Sequence, residues 1–304
     1  MSASAALTAP LRRRIRDWVV GVLHRGNTTP VVYDEPRGDP GLFGPQSVTW
    51  KIHADFPGMM AGGICALMLQ SLHPRALAGV WDHSDFRRDT LGRLRRTTAF
   101  VAGTTYGPRA EAERLIQRVK AIHAHVRGTA PDGRPYAADD PELLTWVHCT
   151  EMASFLRGYQ FFRGLRLPRE VQDRYFDETA RVAQALGARE VPRTAAAVEE
   201  YFRSVRGELE YGARAREVLA VLERVALPIP AGFATRSLFL GAGRALLPDW
   251  ALRLMNRSRA GRLRDHYAAR SLRAAAPLIR AALSEGVAAR ACRRVGVDVK
   301  SLQF

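Results

Sequence analysis

The chain has 304 residues, 47% of them hydrophobic and 25% charged, so it can bury a large core and is not a disordered polymer. No run of about 18 uncharged apolar residues occurs, which argues against a transmembrane helix. Its three widely spaced cysteines, Cys65, Cys149 and Cys292, do not form a disulfide framework or a structural zinc motif, no C-x-x-C-H for covalent haem is present, and a reducing, cytoplasmic setting fits best.

The formal charge of +16 invites a nucleic-acid reading, but its distribution weakens it. Residues 1–25 carry five Arg and one Asp, a net +4, and residues 251–304 carry eleven Arg, one Lys, two Asp and one Glu, a net +9. Only +3 is left for the 225 residues between them. A basic helical nucleic-acid-binding protein is the rival reading, and no DNA-binding motif supports it.

In chain order, the N-terminus starts apolar and turns basic, the reverse of a secretory signal peptide. Residues 1–30 read as a basic helix or arm ahead of one large helical domain over 31–304. Within the arm, "LRRRIRDWVVGVLHR" (11–25) sets Arg on one side and Leu, Ile, Trp and Val on the other. That is the pattern of a surface helix docked on a core, and also of a peripheral membrane contact.

"MMAGGICALMLQSL" (59–72) is apolar nearly all round, as a buried helix is, and its glycines allow a backbone or a flat ligand to come close. In "WDHSDF" (81–86), Ser84 or Asp85 suits a helix N-cap. Residues 89–107 read as a helix capped by Asp89 and closed at Gly107-Pro108. Residues 109–128 read as an amphipathic helix with Leu115, Val119, Ile122 and Val126 as its apolar stripe. A Pro-Asp-Gly turn follows, then a helix over 141–165 capped by Asp139 or Asp140. Further helices are predicted over 168–187, 194–225 and 228–248 and through the basic C-terminal segment. Strand-type alternation is scarce, so the fold class is all-α.

The common enzyme signatures are missing: no phosphate-binding Gly-rich loop, no G-x-S-x-G, no H-E-x-x-H. The candidates for chemistry are histidines and arginines on helix faces. His123 shares its helix's apolar stripe, and is either a satisfied core histidine or a ligand. His125 points elsewhere and reads as exposed. His148 shares a face with Thr145, Glu151, Met152 and Phe155, with the same two readings. Arg93, Arg96 and Thr97 form an i, i+3, i+4 set continued by Phe100, so the Arg93/Thr97 face reads as turning inward, where an arginine needs an anion. His73 stands where Pro74 breaks the preceding helix, and reads as a cap for that helix's freed carbonyls.

Taken together, "LQSLHPRALAGVWDHSDFRRDTLGRLRRT" and "IHAHVRGTAPDGRPYAADDPELLTWVH" resemble the MpaB-like oxygenase family, which includes the latex-clearing rubber oxygenases. The likeness covers roughly residues 65–165. It rests on H-P, H-S-x-F, G-R-L-x-R-T, I-H-x-x-V-x-G and W-V-H in this order. The resemblance implies an all-α single domain with a globin-like core holding one non-covalent haem b, with O₂ as co-substrate. It places the axial iron ligand on His123, with His148 as the alternative. His148, Thr145 and His73 become neighbours of the haem, and Arg93, Arg96 and Thr97 become catalytic residues, Arg93 also serving the cofactor. In one respect this sequence departs from the family: the rubber oxygenases carry a lysine at the place of Arg96, and a guanidinium has no free lone pair for iron. The expected activity is that of a haem-dependent oxygenase or oxidase on a small apolar or aromatic metabolite, with a peroxidase-like haem enzyme as the alternative.

Overall fold

In the computed structural model, which describes residues 3–24 and 31–304 with side chains for 9–22 and 31–304, the described residues form fourteen α-helices, two of which make a central buried pair. The helices are α1 Ala3–His24, α2 Val48–His53, α3 Phe56–Gln70, α4 Pro74–His83, α5 Thr90–Tyr106, α6 Arg109–His123 and α7 Pro141–Arg163. Then come α8 Arg169–Leu186, α9 Ala195–Ser204, α10 Ala213–Arg224, α11 Gly232–Ala245, α12 Asp249–Leu254, α13 Arg259–Ala282 and α14 Val287–Arg294. The strands β1 Arg127–Thr129 and β2 Pro135–Ala137 make an antiparallel hairpin, Gly128 opposite Tyr136. The all-α expectation holds.

The buried pair is α3 against α7, antiparallel, with glycine at the crossing. A Cβ on Gly62 would stand 2.7 Å from the Ser154 carbonyl oxygen, and one on Gly158 would meet the carbonyl of Gly58. The glycines of α3 therefore serve helix-to-helix contact first. A second glycine contact, Gly243 on Ile64, seats α11 on α3, and Gly241 on Ala268 seats α13 on α11. Trp146, Met68, Leu69 and Tyr159 fill the core around these crossings.

Ionic groups fasten the ends. Asp55, fully buried, accepts from Gly58 N at the start of α3 and pairs with Arg280 at 2.6 Å and Arg163 at 3.3 Å. Glu178 accepts from the backbone of Val48 and Thr49 and from the Thr49 hydroxyl, which holds α2 to α8. The buried Arg294 donates to the carbonyls of Tyr33 and Asp39, which ties α14 to the segment before α2.

Several local expectations change. Ser84 does not start a helix; it ends α4, while Asp89 caps α5 by accepting from Gly92 N. Asp140, not Asp139, caps α7. The predicted helix over 194–225 is broken: α9 passes into a 3₁₀ turn, and an extended stretch follows in which Glu210 N donates to Leu72 O. The helix predicted to Gly128 stops at His123, and Gly128 pairs in the hairpin instead. Its buried side is Ala112 and Ile116, with Leu115, Val119 and His123 half-buried, whereas Ile122 is 54% exposed. The stripe is thus rotated by one position, and His123 stays on it. On α1, Ile15, Trp18, Val19 and Val22 are half-buried, and the helix packs against α5 and α13. Residue 25 of the predicted amphipathic segment lies outside the described residues, as do 1–2 and 26–30 of the predicted arm.

The glycine crossing sets a measurable expectation. Gly62→Val overpacks α3 against α7 and should cost about 1–3 kcal/mol of stability, read as a lower urea midpoint. Gly133→Ala, at an open turn of positive φ with free space around it, should cost less.

Candidate active site

The helices α5 and α6 form an antiparallel hairpin joined by Gly107 and Pro108 alone. Gly103 faces Leu115, which fixes their register. Arg93, ten residues before Gly103, and His123, eight beyond Leu115, both lie toward the open end of this hairpin.

His123 is the last residue of α6 and half-buried, and among the described residues nothing hydrogen-bonds its ring. Burial lowers its pKa from the ordinary 6.5, with the Asp139 carboxylate working the other way. The ring is therefore neutral near pH 7 and keeps a lone pair for a metal. His125 is exposed. Arg93 is half-buried and donates to Ser84 Oγ at 2.9 Å, with no acidic partner among the described residues. Burial, then Arg96, lowers its pKa to about 10, so it stays charged. Arg96 is exposed and pairs with Asp89 at 3.3 Å; Thr97 is exposed too, so of the predicted inward face Arg93 and Phe100 are half-buried and Thr97 is not.

The second group lies on α7. His148 is buried and its Nε2 has no hydrogen-bond partner; burial lowers its pKa to about 4. One turn on, Glu151 has its pKa raised by burial from 4.5 to about 7. Thr145 does not join them in function: its hydroxyl lies 2.9 Å from Pro141 O and 3.0 Å from Arg189 O, and so is occupied by the backbone. His73 is also separate. It packs near Trp146 at 5.8 Å between ring centroids and approaches Glu208, and position 146 lies on the far side of α7 from 148. As N-cap residue of α4 it makes no side-chain capping bond.

A third group was not legible in the sequence. His53, at the end of α2, is hydrogen-bonded through Nδ1 to Thr105 Oγ1 at 2.9 Å and through Nε2 to Tyr175 Oη at 2.8 Å. The Tyr175 hydroxyl donates to Met152 Sδ at 3.4 Å. Burial drives the His53 pKa to about 3, and a neutral ring satisfies the whole chain: Thr105 donates to Nδ1 and Nε2–H donates to Tyr175. The Phe155 ring stands edge-on to His53 at 5.3 Å. A six-residue helix is too short to display a periodic face, so nothing around His53 marked it.

These groups stand on four helices, α2, α5, α6 and α7. Among the described residues, neither α5 nor α6 packs extensively on α3 or α7, whereas α2 and α8 bridge the two pairs. His53 and Glu151 are half-buried, and burial pushes both toward their neutral forms. A face of α3, with Met59, Gly63 and Leu67, is half-buried and apolar, and Gly63 lies over the Phe155 ring. Among the described residues no three His, Cys, Asp or Glu side chains come together as a metal site.

The carboxyl gives a pH test with a defined sign. From pH 4.5 upward the unfolded chain ionises Glu151, while the folded state resists until about pH 7, so stability falls across that window. His53 and His148 act oppositely: the unfolded chain protonates them below 6.5, which removes stability as pH falls toward 4. Glu151→Gln should therefore gain stability relative to the parent as pH rises from 4.5 to 7, read from urea midpoints. A difference that does not change with pH would contradict an enclosed Glu151.

A model of the family described as "ER-bound oxygenase mpaB/B'/Rubber oxygenase, catalytic domain" matches residues 50–295. No curated protein and no solved structure matches the chain. Among the described residues no helix is long and apolar enough to cross a membrane. The matched span starts in α2 and ends just past α14, so it holds α3, α5, α6 and α7 whole. The chain belongs to the mpaB/rubber-oxygenase family, and residues 50–295 are its oxygenase catalytic domain.

Proposed function

We propose that the space bounded by α3, α5, α6 and α7 holds haem b and that the enzyme uses O₂ on a small apolar or aromatic metabolite. The observation that carries this reading is the ligand arrangement. No three side chains combine to hold a metal among the described residues, while single neutral histidines stand on α6 and α7. A haem would need only one such imidazole from the protein. When bound, the haem supplies the oxygen chemistry.

The chain's own residues then divide the work. His123 offers a lone pair that no hydrogen bond occupies, and is the proposed iron ligand; His148, with its unpartnered Nε2, is the alternative. Arg93, charged and without an acid, would pair with a propionate or another anion. Arg96 and Thr97 line the open side of the same helix and can contact a substrate there. Glu151, neutral or ionised near pH 7, can hold or release a proton at its carboxyl. The His53–Tyr175 chain fixes the width between α2 and α8, and Met59, Leu67 and Phe155 exclude water.

The test is expression with haem supply, followed by visible spectra and haem content. The parent should show a Soret band. His123→Ala should lose it and His148→Ala should keep it; the reverse would move the iron to His148. Arg93→Ala should bind haem about tenfold more weakly, the size of one charge-assisted contact. A parent purified without haem despite supply would overturn the reading.

A further inference from the structure

The outer side of α13 carries a pattern that the oxygenase reading does not use. Its buried stripe is Gly261, Asp265, Ala269, Leu272 and Ala276. Directly opposite runs a second stripe, Arg259, Leu263, Tyr267 and Arg270. Leu263 is 56% exposed and Tyr267 62%, one turn apart. Among the described residues Arg259 and Arg270, and Arg264 beside them, have no acidic, hydrogen-bonding or ring partner. Elsewhere on this helix the cations are engaged: Arg262 approaches Asp249, Arg273 lies over Phe161, and Arg280 pairs with Asp55. The one acid of α13, Asp265, is held by Arg257 with two contacts of 2.8 Å. The α1 helix packs against α13 and adds Arg13 and Arg14, exposed and likewise without a partner.

We propose that this face of α13 docks on an anionic lipid surface. An aliphatic and an aromatic side chain set between unpaired guanidiniums suit a bilayer interface: the apolar pair enters the headgroup boundary, and the cations meet phosphates. Charge selects among occupants. A second copy of the same stripe, packed about a twofold axis, would set Arg259 and Arg270 against like charges. The surface differs from the one that the sequence pattern suggested, since the apolar side of α1 is turned toward α5 and α13. Nothing in this inference depends on what the interior space holds.

The experiment is co-sedimentation of the purified full chain with phosphatidylcholine vesicles, with and without phosphatidylglycerol. The chain should sediment with the anionic vesicles only, and high salt should release it. Arg259→Ser/Arg270→Ser should lower partitioning by about tenfold or more, since each cation near an anionic surface counts. Leu263→Ser/Tyr267→Ser should weaken binding and leave its salt dependence unchanged. All four positions are exposed, and far-ultraviolet circular dichroism would show the variants folded like the parent. A parent that stays in the supernatant, or variants that bind as the parent does, would overturn the proposal. So would a solution dimer that Leu263→Ser/Tyr267→Ser dissolves, because the stripe would then belong to a second copy.

Discussion

The contact that the rest of the structure depends on is the glycine crossing of α3 and α7. With Gly58, Gly62 and Gly158 at the interface, the two backbones approach more closely than side chains allow. One side of α3 is spent on α7 and the opposite side on α11, where Gly243 repeats the device. What is left of α3 is the Met59–Gly63–Leu67 face, and what is left of α7 is the His148–Glu151–Phe155 face. These two remainders meet where Gly63 lies over the Phe155 ring.

His53, His148 and Glu151 are all enclosed, and burial pushes each toward its neutral form. His53 is satisfied by Thr105 and Tyr175, whereas His148 keeps an unpartnered nitrogen. An unsatisfied buried polar atom costs about 1–3 kcal/mol, so its retention points to function. The surrounding ionic ties, Asp55 with Arg280 and Arg163 and Glu178 with the start of α2, hold the walls rigid without entering the space.

Much of this was legible in the sequence because helices announce themselves by period and cap. Asp89 and Gly107 bounded α5 correctly, Pro141 opened α7, and the apolar run at 59–72 marked a buried helix. The family likeness came from the same segments, and the match over 50–295 confirms it. Where tertiary contacts override local pattern, the sequence misled. The stretch 194–225 is strongly helical by composition, yet Glu210 is drawn out to pair with Leu72. Gly128 looked like a helix end, but it belongs to a hairpin opposite Tyr136. In the candidate site, helical phase singled out Arg93, His123 and His148, and the family resemblance gave them their expected roles. Thr145 and His73 were grouped with them, and the structure gives each different neighbours: Arg189 for one, Trp146 and Glu208 for the other. His53 and Tyr175 were missed because their partnership spans more than a hundred residues, and a short helix carries no phase.

The central claim is that one haem sits in the interior space with its iron on His123. The most direct measurement is an anomalous-scattering map at the iron edge from crystals of the haem-supplied protein. The account predicts a single iron peak beside the His123 ring, between the α5–α6 hairpin and the α3–α7 pair. A peak on His148, a peak outside that space, or no iron in haem-supplied crystals would contradict it.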